Sequence, residues 1–251
     1  VNGIVNIVTR DAADTRQSVV EVGAGSERHD VALRHGLRLG DTDLRVFGQY
    51  FDRGQTVADT AVPVRDAWHM SRAGFRADRE TAAGDHWSLI GNMRAGSVGQ
   101  SVTFVAAAVP ALAETRYFDA DIFTADLLGR WRRSWNVDDE IEAQVYYDLF
   151  HRKEFVLEGR IHNFDVDVQQ RSRRGRHQLV WGGGYRRTWD DFDGTFTMWL
   201  EPARRTTNLL SGFVHDDIEL IDGRLSLSGG SKLEHNSYTG WEWQPNLRVW
   251  A

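Results

Sequence analysis

Cysteine is absent from this 251-residue chain, so it has no disulfide framework and no thiolate-held metal centre. It also lacks any apolar run near the roughly 20 residues that a membrane-spanning helix needs. Mean hydropathy is low, at −0.47. An excess of basic charge is missing too: the net charge of −6 argues against bulk nucleic-acid binding, which needs a basic field. No signal peptide is recognisable, and Val1 opens inside an apolar stretch without an initiator Met, which reads as a piece of a longer precursor. Proline is scarce, with 4 residues, beside 10 Trp and 12 Phe. Aromatic belts at a membrane interface would use those rings.

What the chain does have is alternation. Over residues 140–150, Ile141, Ala143, Val145, Tyr147 and Leu149 fall on one face and Glu142, Gln144, Tyr146 and Asp148 on the other. That period of two marks a strand with one apolar and one wet side. The length allows one large all-β unit or two small domains. Low hydropathy does not exclude a membrane barrel, because only alternate wall residues meet lipid.

The pattern predicts twelve strands, at about residues 17–26, 28–39, 43–53, 67–78, 85–96, 119–135, 140–155, 158–171, 176–189, 205–220, 224–237 and 246–251. Short turns are expected at Gly40-Asp41-Thr42, residues 79–84, Asn136-Val137-Asp138-Asp139, Gly175 and Ile221-Asp222-Gly223. The intervening connections read as longer or less regular: residues 54–66, 97–118 (the longest), 190–203, and a loop holding Trp241 and Trp243. Tight turns at one end and long loops at the other fit an antiparallel up-and-down transmembrane β-barrel. The rhythm stops in strand 12 without closure, so the expected fold is an incomplete barrel, about 12 strands of a larger one.

Two segments carry a resemblance. Asn2-Gly3-Ile4-Val5-Asn6-Ile7-Val8-Thr9-Arg10 resembles the last plug-domain strand of TonB-dependent outer-membrane receptors. Its usual form there is Asn-Gly, two β-branched residues, Asn-Ile, another β-branched residue, Thr and a basic residue. The stretch from Gly212-Phe213-Val214-His215-Asp216-Asp217 through Gly229-Gly230 is similar to a common barrel hairpin of the same family, from which His215, Asp217, Ile218 and Lys232 depart. The resemblance implies a plugged barrel of roughly 22 strands. It divides the chain into the end of a plug domain with its linker, residues 1–16, and the N-terminal part of the barrel, residues 17–251. It further implies import of a scarce ligand, a ferric siderophore first among them, energised through an inner-membrane complex that the missing N-terminal region would contact. The implied location is the bacterial outer membrane, with lipid as a partner, no cofactor, no nucleic acid and no enzymatic activity. In that family strand 1 runs outward, which makes the short turns periplasmic.

Candidate ligand contacts fall in the outer loops and upper lumen. Arg116, Tyr117 and Phe118 end the longest loop, and Trp199, Arg204 and Arg205 lie near the top of strand 10. Arginine with aromatics suits an anionic, partly aromatic ligand. Asp190, Asp191 and Asp193 offer carboxylates to a hard cation, with a solvated loop as the plain alternative. The basic run Arg171 to Arg176 reads as a charged turn. Arg34, Arg38, Arg72, Arg76, Arg94, Arg130 and Arg132 share one face with Glu142, Asp148, Asp165 and Asp167, as a wet or plug-filled lumen requires. Leu33, Val46, Leu89, Val145 and Val166 lie on the lipid-side face, with Trp68, Trp87, Trp135 and Trp189 as girdle candidates. His162, on the apolar face, reads as an interfacial histidine. The alternatives are a self-contained barrel of about 12 strands acting as a porin or membrane phospholipase, and a soluble two-sheet binding module.

Overall fold

The computed structural model describes residues 9–56, 64–108, 111–195, 197–221 and 223–250, with side chains not described at 105–108 and 111–112. Residues 1–8, which hold all of the plug-like motif but Thr9 and Arg10, lie outside the described residues. Among the described residues twelve strands form one antiparallel sheet in chain order: β1 (Val19–Ala24), β2 (Arg28–Leu39), β3 (Thr42–Arg53), β4 (Trp68–Glu80), β5 (Asp85–Ala108), β6 (Ala111–Ser134), β7 (Asp139–Lys153), β8 (Leu157–Arg174), β9 (His177–Gly194), β10 (Arg204–Ile221), β11 (Leu225–Asn236) and β12 (Gly240–Trp250). Every strand pairs with its sequence neighbours, and β1 and β12 are open edges of an unclosed sheet. The motif-bearing β10–β11 segment is a paired hairpin.

At one end no connection exceeds four residues, as the alternation anticipates. Gly40 and Gly175 have φ of 59° and 60° at the first central position of two-residue turns, and among the described residues no non-glycine residue has positive φ. That is the type II′ signature, whose twist matches the flanking strands. In the β6–β7 turn the Asn136 Oδ1 accepts the Asp138 and Asp139 amides at 2.8 and 2.9 Å. The Asp139 carboxylate accepts Ser172 Oγ at 2.8 Å, Arg174 Nη1 at 3.0 Å and Asn136 Nδ2 at 3.0 Å. It opens β7 at the turn end of the sheet, clear of the roughly 9–11 strand residues that a bilayer crossing would take.

These donors, Arg174 first, hold the Asp139 carboxyl down to about 2 from its ordinary 3.8. A depressed carboxyl contributes stability above its unfolded pKa and loses it as pH falls through the folded one. Asp139→Asn is therefore expected to reduce the acid-side loss of stability between about pH 4 and pH 2. Denaturant midpoints measured across that window, against the parent protein, check it.

The opposite end departs from the sequence expectation. Where a loop is expected at 97–118, β5 continues to Ala108 and β6 begins at Ala111. Past Val98↔Trp68 and Asp121↔Lys153 their strand pairing is with each other, as a two-stranded ribbon, with Gly99 N still donating to Ala67 O at 2.8 Å. Ten further residues per strand carry it roughly 33 Å beyond its neighbours. Residues 190–194 belong to β9, where they pair with β8, leaving 195–203 as the connection. Trp241 and Trp243 lie in β12, opposite His235 and Leu233. Asymmetry between the ends thus resides mainly in strand overhang, with only residues 54–67 and 195–203 forming long connections.

Burial is inverted relative to a soluble sheet. Among the described residues the buried non-glycine side chains are small or polar: Ala12, Thr15, Arg76, Ala120, Ser172 and Ser228. Leu33, Val46, Leu89, Met93, Leu127 and Val145 are exposed on one continuous face. An apolar face of this extent needs an apolar neighbour. Tyr147, His162 and Trp189 lie on it, His162 and Trp189 stacked at 5.2 Å and the Tyr147 hydroxyl 2.8 Å from His162 Nδ1. Trp87 and Trp131 approach to 6.0 Å near the short turns. Trp68 is a correction: it pairs with Arg53 and Val98, so it shares the polar face with Arg72 and Arg94, edge-on to Phe51.

Candidate functional site

Several charges of the polar face are paired or hydrogen-bonded across strands. Arg186 Nε donates to Asp165 at 2.8 Å, Arg130 Nη2 to Gln144 at 3.3 Å, and Arg94 lies 3.7 Å from Asp126. One cross-strand row runs Asn92–Asp126–Asp148–Asn163–Thr188, its carboxylates each fixed by an asparagine amide, at 2.7 and 3.1 Å. All eleven charged residues assigned to this face from sequence lie on it, linked by the register. Such a surface stays stable against water or a polar filling, and not against a dry core.

The six ligand candidates do not converge. Arg116 and Phe118 fall on the polar-face side of the β5–β6 ribbon, where Phe118 and Phe104 pack on Phe155 at 5.3 and 6.2 Å. The Arg116 guanidinium lies 5.2 Å over the Phe104 ring and 2.8 Å from Glu114. Tyr117 points to the ribbon's other face, under Arg65 at 5.1 Å. Arg205 shares the polar face, 4.3 Å over Tyr238. Arg204 lies on the opposite face, bound to Asp191 at 3.1 Å. Trp199 is exposed in the 195–203 connection. Four strand spacings, roughly 19 Å, separate β6 from β10.

The arrangement is one aromatic–arginine cluster, Phe104–Arg116–Phe118–Phe155, and a smaller Arg205–Tyr238 pair across the sheet. Sequence reading omitted Phe104, Phe155 and Tyr238. Phe155 could have been found as the aromatic residue in an otherwise tight β7–β8 turn.

Strand alternation also divides the aspartates: Asp190 faces one side, Asp191 and Asp193 the other. Among the described residues no three His, Asp or Glu side chains form a metal-binding group. One grouping resembles hydrolytic machinery. Ser228 Oγ and Asp217 Oδ1 lie 2.9 and 3.3 Å from His215. Both reach the same Nε2 atom, whereas a relay needs the acid on the second nitrogen. Ser228 is also 1% exposed, which denies a substrate access to its hydroxyl.

No protein-family model and no curated protein sequence matches the chain. Solved structures do. The ferripyoverdine receptor FpvA of Pseudomonas aeruginosa, bound to heterologous pyoverdines, is similar at a TM-score of 0.66 and 11% identity, over 93% of this chain and 39% of that one. The siderophore receptor PirA of Acinetobacter baumannii gives 0.65 and 11%, over 92% and 40%. The ferric enterobactin receptor PfeA of P. aeruginosa, as a double mutant, gives 0.64 and 13%, over 94% and 39%. This chain spans about two-fifths of each receptor. Its twelve-stranded up-and-down sheet therefore has the fold of part of an outer-membrane siderophore-receptor β-barrel.

Proposed function

We propose that this chain is the plug-proximal part of a TonB-dependent receptor in the bacterial outer membrane, importing an anionic ferric siderophore with energy from an inner-membrane complex. The observation that carries the reading is the inverted sheet, an exposed apolar face backed by a paired polar one, in a fold shared with siderophore receptors. Lipid would cover the first face, and a plug with water the second. The ligand would meet the Phe104–Arg116–Phe118–Phe155 cluster on the ribbon, where aromatic planes and a guanidinium are already assembled. Import involves no covalent step, and the chain is read as a non-enzyme.

The test is uptake of radiolabelled ferric iron by iron-starved cells, supplied as siderophore complexes of differing charge. Energy-dependent uptake that is lost on deletion of the gene is expected. A correctly inserted barrel that neither binds nor imports any of them would refute the reading. Arg116→Ala should weaken binding of an anionic complex about 30-fold, or roughly 2 kcal/mol, as expected for an arginine at a binding hot spot. Quenching of the intrinsic tryptophan fluorescence gives the affinity, and Arg204→Ala, on the opposite face, should leave it unchanged.

A further inference from the structure

The segment expected to be a polar linker has a dense set of fixed contacts. Arg76, 8% exposed on β4, donates from Nη1 to the Thr9 carbonyl at 2.9 Å and to Thr9 Oγ1 at 2.8 Å. Its Nη2 meets the Asp11 carboxylate, and its Nε donates to Asp78 at 2.7 Å. Asp78 in turn accepts the Ala12 amide at 2.7 Å and Ser88 Oγ at 2.7 Å. Arg45 donates to the Arg10 carbonyl at 2.9 Å, and Arg16 binds Asp43 through two bonds of 2.6 and 2.9 Å. Between them a single 3-10 turn, Ala13–Thr15, buries Ala12 and Thr15. Two strands, β3 and β4, thus hold eight residues of chain on the polar face.

We propose that residues 9–16 are a fixed anchor rather than a flexible linker, with Arg76 as the positioning residue that locks the chain to the polar face from Thr9 onward. A guanidinium can serve this role because its donors form a rigid fork, satisfying the strap and the Asp78 carboxylate together. Lysine, with one ammonium, cannot span the same acceptors. The geometry is independent of any ligand. Within the proposed receptor it makes Thr9 the point beyond which movement of the preceding chain is not passed to the barrel wall.

Trypsin reads the anchor directly, since it cleaves after arginine and both Arg10 and Arg16 lie within the segment. In outer-membrane preparations the parent protein should resist cleavage at both. Arg76→Gln should be cut there at least tenfold faster while keeping the heat-modifiable gel mobility of an intact barrel. Arg76→Lys should fall between them. Should Arg76→Gln fail to insert, Asp11→Asn removes the strap-side charge without touching a strand, and the same exposure is expected. A parent protein cut at Arg16 as rapidly as the variants, or variants as protected as the parent, overturns the proposal. Lost siderophore uptake with a protected strap would count against the receptor reading and leave the anchor standing.

Discussion

Val145→Arg is expected to destabilise the protein in a bilayer by about 2–4 kcal/mol, the cost of a cation on the lipid face near mid-membrane. Val145 is 46% exposed, and an exposed position on a soluble sheet tolerates most substitutions within about 0.5 kcal/mol. The solvent on that face decides between the two outcomes. Val145 is the seventh of fifteen residues in β7, flanked on its face by Gly129 and Val166, neither of which offers a counter-charge. Its neighbour Gln144 projects to the polar face, between Arg130 and Asp167. Gln144→Arg should cost less than about 1 kcal/mol, because lumen-side substitutions stay hydrated. Denaturant unfolding in phospholipid vesicles, scored by heat-modifiable mobility, compares the two variants. Equal costs would mean that the apolar face meets something other than lipid.

How much of this was legible follows from where the two faces differ in solvent. In the receptor proposed above, lipid on one side and polar filling on the other impose a strict contrast within the span, and the alternation marks β2 with its observed bounds. Beyond the span both faces are wet and the contrast fails. On the ribbon the apolar residues change face: Val98, Val102, Phe104 and Phe118 take the side that Arg94 and Thr124 occupy below. A reading tuned to one phase sees an interruption there, and Gly96 and Gly99 strengthen that impression. The same loss of contrast hid Asp190–Gly194 as strand, since pairing to Leu157–Ile161 rather than patterning extends β9. The ligand candidates were identifiable as residue types only. Which of them meet depends on the ribbon's phase and on Phe155, reached from another turn. The alternation puts Arg76 on the correct face, but its partners in the anchored segment lie 65 to 67 residues away. Contacts of that separation leave no local signature.

Gly36→Ala is expected to cost about 3 kcal/mol and to free the anchored segment, although it adds one methyl group. A Cβ at Gly36 meets the Thr15 carbonyl carbon at 2.8 Å and Arg16 Cα at 2.9 Å, with the Thr15 oxygen closer still. All three are backbone atoms, so no side chain can rotate out of the way. Residues 15–16 must withdraw, straining the Gly36 amide bond to Gln17 O at 3.3 Å and the paired Arg16–Asp43 bonds. Overpacking of roughly 1–3 kcal/mol and about 1 kcal/mol for the Gly36–Gln17 bond give that total, the exposed Arg16–Asp43 pair adding little. Gly48, on the apolar face of the next strand, has nothing within 4 Å of its Cβ position. Gly48→Ala should therefore be neutral or slightly stabilising, since alanine restricts the unfolded chain. Denaturant midpoints and trypsin cleavage after Arg16 separate the two glycines. Coupling adds a sharper criterion. If residues 9–16 undock as one unit, Gly36→Ala combined with Arg76→Gln should cost little more than the worse single change, because shared contacts are lost once. Additive costs would show two independent attachments and would confine the role of Arg76 to Thr9 and Asp11.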